Sequence, residues 1–266
     1  MSNTSDEVEE ALKSFSDSDA DKKELVINNS LQELENLVNE HCCLERIAKL
    51  RPILDCLREN KMTPASTSAA YHGAFPGGLI CHVLDVATIA LETALDFQTN
   101  SSVSDLVSSK IVLYSNEMLE RSRNRYLATR ESIVTAAILH DLNKVMDPNG
   151  NKMYEENLLK DGKRSDKKPF AKSNNYDPFG NLTIRSPESI IIKHGGAQYS
   201  SGAVSLAVAE QLSPGIIYDL TEDEIQAIVF HAGLYEKCSK EGFVGKESML
   251  SILIHYSDMV ASRFFT

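Results

Sequence analysis

The 266-residue chain lacks any uninterrupted apolar run approaching the roughly 20 residues that a membrane helix needs. Met1 to Glu10 is acidic and has neither the cationic nor the apolar region of a secretory signal, so none is expected there. A cytoplasmic protein without membrane attachment is therefore expected. Cysteine is scarce, with five residues (Cys42, Cys43, Cys56, Cys81, Cys238), an odd number without CxxC spacing. That argues against a disulfide scaffold and for buried free thiols in a reducing compartment. Positive charge is in deficit, with 27 Lys and Arg against 38 Asp and Glu, a net charge of −11. Residues 1–40 alone hold 11 acidic and 3 basic side chains, so the rest of the chain is nearly neutral. Long nucleic acid, whose binding rests on Lys and Arg neutralising phosphates, is thereby disfavoured. A small phosphorylated substrate is not. Neither an internal repeat nor a glycine-rich phosphate loop is present, which argues against ATP-driven work.

With 42% apolar and 24% charged residues, the composition is that of an ordinary globular protein with length enough for a sizeable core. Residues 1–27, rich in Ser, Asp and Glu, read as a flexible acidic tail. Residues 28–266 read as one domain. Within it, residues 28–70 hold N-terminal helices: Leu31, Leu34, Leu37 and Val38 recur at helical spacing, followed by Leu44, Ile47 and Leu50. Pro52 is expected to open the next helix. A glycine- and proline-marked turn from Tyr71 to Gly78 leads into the apolar run Leu79 to Leu95. Further helices are expected over Val103–Leu119, from a Ser132 cap through Leu139, over Ser200–Leu212, over Glu222–Ala232 behind a capping box at Thr221, and over Ser248–Arg263. Residues 147–190 are polar and read as an insertion, a hairpin or a flap. The fold class is all-α, a helical bundle with one polar loop or hairpin insertion.

The informative feature is the set of polar groups inside apolar helices. The run Ile133 to Leu139 ends in His140-Asp141; Leu79-Ile80-Cys81 leads to His82; Leu250 to Tyr256 leads to Asp258. A buried carboxylate costs several kcal/mol, on the order of a few, unless it is paired or holds a metal. One His-Asp doublet is weak evidence, since about 0.4 arise by chance from 7 His and 16 Asp in 266 residues. Three separate apolar helices with such groups are far more specific. Imidazole and carboxylate together suit Mn, Fe, Co, Ni or Zn better than Mg, and the spacing suits a site between helices of a bundle.

These residues resemble the pattern of the HD-domain metal-dependent phosphohydrolase superfamily: a His, a His-Asp doublet, then a distant Asp. His72-Gly73-Ala74-Phe75-Pro76-Gly77-Gly78-Leu79-Ile80-Cys81-His82 is similar to the opening motif of the HD domain in YhaM-type exoribonucleases. Ile138-Leu139-His140-Asp141-Leu142-Asn143-Lys144 is similar to the doublet signature, and Ile254 to Arg263 to the closing helix. The resemblance covers roughly residues 70–264. It implies one or two divalent ions (Mn, Fe, Co, Ni or Zn, with Mg possible). The first would be held by His82, His140, Asp141 and Asp258, and the second by Asp141, His194 and His231. Relatives with Glu two places after the residue corresponding to His194 differ from this chain, which has Gly196.

The implied activity is hydrolysis of a phosphate ester or anhydride by metal-activated water, on a nucleotide or similar small substrate. Asp141 and Lys144 are the candidate catalytic residues. His72, Lys144, Lys167 and Lys168 are candidate substrate contacts, the last two within the basic stretch 160–172. His255, one turn before Asp258, is expected to orient it, and Asp85 could do the same for His82. His41, Cys42 and Cys43 read as the surface of an amphipathic helix. Two other readings stay open: a di-iron oxygenase using the same ligands, and a catalytically silent scaffold that binds a nucleotide or partner. Which nucleotide, which bond, whether a polynucleotide 3′ end is attacked (which the resemblance to an exoribonuclease motif keeps open), and the oligomeric state are not legible.

Overall fold

The computed structural model describes residues 24–66, 72–99, 128–156, 170–172, 201–233 and 247–264. Helix α1 runs over 24–41. Its buried stripe of Ile27, Leu31, Leu34 and Val38 has helical spacing. The tail as read to residue 27 is therefore too long, because Ile27 is only 2% exposed. One more turn joins the core stripe, and its burial offsets the entropy of ordering it.

Helix α2, Leu44–Glu59, passes straight through Pro52, which does not open a new helix. An interior proline costs about 3 kcal/mol. Leu50, Ile53, Leu54 and Leu57 around it are fully buried, each contributing about 1.5–3 kcal/mol, so packing overrides the break. His41 ends α1, whereas Cys42 and Cys43 form the corner between α1 and α2 rather than a helix surface. Cys43 is the N-cap residue of α2, and its N–H donates to the Glu131 carboxylate at 2.6 Å. The four described cysteines are free thiols; Cys56 is buried as expected, whereas Cys43 is exposed. Cys238 lies outside the described residues.

The turn before helix α3, Gly78–Thr99, closes on two glycines. Gly73 has φ +59°, and a Cβ on Gly78 would lie 2.0 Å from the Gly73 carbonyl oxygen. Helix α3 includes a stretch, Gly78–Leu95, long and apolar enough by composition to cross a membrane. Leu79, Ile80, Val83, Val86, Ala87 and Ala90 of that stretch are buried within the bundle.

Helix α4, Arg130–Leu139, is capped by Thr129 rather than Ser132: the Thr129 hydroxyl accepts from Ser132 N–H at 3.1 Å. Every residue from Ile133 to Leu139 is fully buried. A 3-10 turn follows at Leu142–Lys144. In the polar insertion, β1 (Tyr154–Glu156) pairs antiparallel with β2 (Phe170–Lys172), Tyr154 opposite Lys172 and Glu156 opposite Phe170. Then come α5 (Ser201–Leu212), the short α6 (Ile216–Asp219), α7 (Glu222–Val229) and α8 (Met249–Phe264). The capping box at Thr221 is present, closed by Glu224. Helix α3 packs on α4 and α8, α8 on α7, and α5 on α7 and the 3-10 turn. Apart from the two short strands, the described residues form an all-α bundle. The helix expected at Val103–Leu119 lies outside them.

Candidate metal centre

Each polar residue reaches the centre because its helix buries the face that carries it. His82 sits among Leu79, Ile80, Val83 and Val86 on the inward stripe of α3. Asp258 shares its face of α8 with Ile254 and Ala261, four before and three after it. Helix α4 is enclosed on all sides, so the residues that end it, His140 and Asp141, remain inside. His231 lies just beyond α7, and α7 packs against α4.

The side-chain nitrogens and oxygens converge. His82 Nε2 lies 3.1 Å from Asp258 Oδ1, 3.5 Å from Asp141 Oδ2 and 3.4 Å from His140 Nε2. His140 Nε2 is 3.3 Å from Asp141 Oδ2, and His231 Nε2 is 3.6 Å from Asp141 Oδ1. His82, His140 and Asp258 offer one ligand atom each, all within 4.8 Å of one another, so this cluster could hold a metal ion. The donor chemistry fits one. His140 Nδ1 donates to the Ala137 carbonyl at 2.7 Å and His231 Nδ1 to the Ile228 carbonyl at 2.8 Å. In each ring that leaves Nε2, with its lone pair, facing the centre, the arrangement that prepares an imidazole to ligate.

Charge is strongly organised here. Burial alone would raise the Asp141 carboxyl, but Lys144 and His140 outweigh it and hold it well below the usual carboxylate range. Asp258 is likewise lowered against its burial, by His82 above all. Burial would lower His82, yet its bonds to Asp141 and Asp258 leave it raised. His231 is lowered, chiefly by burial and then by His140. Two ionised carboxylates thus face a cluster of imidazoles in a setting of low dielectric. The Asp258 side chain is 19% exposed and that of Lys144 20%, against 0–5% for the other members, so solvent and ligands reach the centre from their side.

The remaining candidates divide. Lys144 Nζ donates to Asp141 Oδ2 at 2.5 Å, and that charge holds the ammonium's pKa up against its burial. His72 stacks at a tilt against His82, ring centroids 4.7 Å apart, and burial with the His82 charge pushes it down to about 4. It is therefore a neutral ring at neutral pH. His255 does not serve Asp258 through its Nδ1, which donates instead to the backbone carbonyl of His231 at 2.7 Å and so supports the turn carrying that histidine. Asp85 is half-buried, and its carboxyl is raised by that burial; the close partners of His82 are Asp141 and Asp258. His194, Lys167 and Lys168 lie outside the described residues.

Three participants escaped the sequence reading. The Ser262 hydroxyl donates to Asp258 Oδ1 at 3.2 Å and lies 3.4 Å from His72 Nε2. It stands one turn after Asp258, so helical spacing could have found it. The buried Ser205 hydroxyl lies 2.8 Å from the His140 carbonyl and accepts from Asn143 N–H at 3.1 Å, clasping the doublet. The Tyr154 phenol is near enough to Lys144 and Asp141 for both charges to act on it. Neither of these two carries a sequence signal. No family model, curated protein or solved structure matches the chain.

Proposed function

We propose that the protein is a metal-dependent phosphohydrolase of the HD-domain type, cleaving a phosphate ester or anhydride of a nucleotide or similar small substrate. The observation that carries this reading is the meeting of His82, His140, Asp141 and Asp258, from three separate helices, with an ammonium, Lys144, bound to the doublet carboxylate. His82, His140, Asp141 and Asp258 would hold one divalent transition-metal ion. Asp141, His194 and His231 would hold another. A divalent ion bound there supplies charge neutralisation for phosphoryl oxygens and acidifies water.

The chain's own groups divide the other work. Lys144 places a fixed positive charge on the accessible side, where a phosphate would arrive, and keeps Asp141 ionised for ligation. Ser262 holds Asp258 at its oxygen and links it to the neutral His72 ring, a neighbour able to donate or accept a hydrogen bond at a leaving oxygen. Ser205 fixes the backbone of the doublet.

The test is an assay of purified protein with Mn, Co, Fe and Zn against nucleoside mono-, di- and triphosphates and bis(4-nitrophenyl) phosphate. Metal-dependent release of phosphate or of a nucleoside monophosphate is expected. Asp141→Ala should abolish it with helicity retained by circular dichroism. Sustained wild-type turnover in that variant, or oxygen consumption with iron in place of phosphate release, would overturn the reading.

A further inference from the structure

A pocket of about 210 Å³ lies between the 60–66 loop and the two-stranded insertion, walled by Met62, Thr63, Pro64, Val145, Tyr154 and Phe170. Its position follows from the strand register. Tyr154 opposes Lys172, and Phe170 stands two residues from Lys172, so both aromatic side chains project from the same face of the pair. Val145, which lines the pocket, directly follows Lys144, which holds Asp141, so adjacent residues of the chain border the pocket and the candidate metal centre. Tyr154 spans the two as well: it lines the pocket while its phenol lies in the field of Lys144 and Asp141.

Size and chemistry then limit the occupant. A dry cavity of about 150 Å³ holds one benzene, and drug-sized ligands occupy about 300–1,000 Å³. This pocket therefore has room for one planar ring system. Two aromatic residues with Met62, Pro64 and Val145 supply apolar walls for a π-face. Glu59, also at the pocket, supplies an acceptor for the polar edge of a heterocycle.

We infer that this pocket receives the base of a nucleotide, placing its phosphate toward Lys144 and the candidate metal centre. The inference rests on the proposed phosphohydrolase reading for what is done to the phosphate, but the recognition step is separable from it.

The test uses the full chain freed of metal with a chelator, so no turnover is possible. Adenosine, guanosine, cytidine, uridine and ribose are titrated by calorimetry. At least one nucleoside should bind ten-fold or more tightly than ribose, and Phe170→Ala should weaken it at least ten-fold. Because Phe170 is 5% exposed and its loss could unfold the insertion, Met62→Ala is the companion variant. Met62 is 53% exposed, and its truncation leaves the core intact while removing one wall. Should no nucleoside bind better than ribose, or should Met62→Ala bind as wild type does, the inference fails. Nucleoside binding without metal-dependent phosphate release would retain the pocket and remove the hydrolase reading; the converse pattern would do the opposite.

Discussion

Arg46 on α2 and Glu224 in the first turn of α7 form an ion pair at 3.3 Å, with side chains 8% and 1% exposed. The same guanidinium donates to the Asp219 carbonyl at 2.8 Å, while the same carboxylate oxygen of Glu224 accepts from Thr221 N–H at 2.7 Å in the capping box. Arg46 Nη1 and Glu224 Oε1 are buried with no hydrogen-bond partner, so the pair is not fully compensated. Glu224→Ala would strand a buried guanidinium, a loss of about 3–5 kcal/mol, and remove half of a cap. Glu131, 4.0 Å from Arg46 Nε, remains as a distant counter-charge and places the loss near the lower end, about 3 kcal/mol. For a domain of this size that lowers Tm by about 6–12 °C. Replacing both residues, as Arg46→Met with Glu224→Met, removes two desolvated charges together and should recover most of the loss. Thermal melting by circular dichroism on the wild type, both single variants and the double variant reads the coupling. A single-variant loss below about 1 kcal/mol, or a double variant no better than Glu224→Ala, would refute the reasoning.

Two further outcomes are expected. A Cβ on Gly202 would lie 2.0 Å from the Ile228 carbonyl oxygen and 2.6 Å from Val229 Cα, backbone that cannot yield; Gly202→Ala should therefore destabilise by about 1–3 kcal/mol in a urea titration by forcing α5 from α7, and an unchanged midpoint would contradict that close approach. In the metal-free protein the raised His82 is charged below its folded pKa and neutral above it, whereas ligation needs the neutral Nε2. Binding must then expel a proton, so apparent Mn or Co affinity should climb by up to about tenfold per pH unit as pH rises toward that folded pKa and level off beyond it. Affinity independent of pH between about 6 and 8 would show that His82 is not a ligand.

Apolar patterning along the chain marked several of the helices. The apolar runs Leu79–Leu95 and Ile133–Leu139 and the apolar pattern of Leu250–Ala261 each lie in a helix that the fold contains, because such stretches bury their side chains best as helices packed in a bundle. The same rule identified His82, His140, Asp141 and Asp258, since a polar side chain on an otherwise buried face must find a partner there. Local signals misled where packing outweighs them. Pro52 is a helix opener by its own chemistry, but four buried side chains carry the helix through it. Ser132 is a sound cap, but Thr129 lies at the residue where the chain turns.

The sequence by itself determined an all-α bundle and which residues would be inward-facing anomalies, because burial periodicity and the cost of an unpaired buried charge are properties of short stretches. Only the tertiary structure decided which nitrogen of His140 and His231 faces the centre, that His255 supports the His231 turn, that Ser205 clasps the doublet, and that Tyr154 joins a pocket to Lys144. Those facts depend on how elements far apart in the chain approach one another, and no local pattern encodes such a distance.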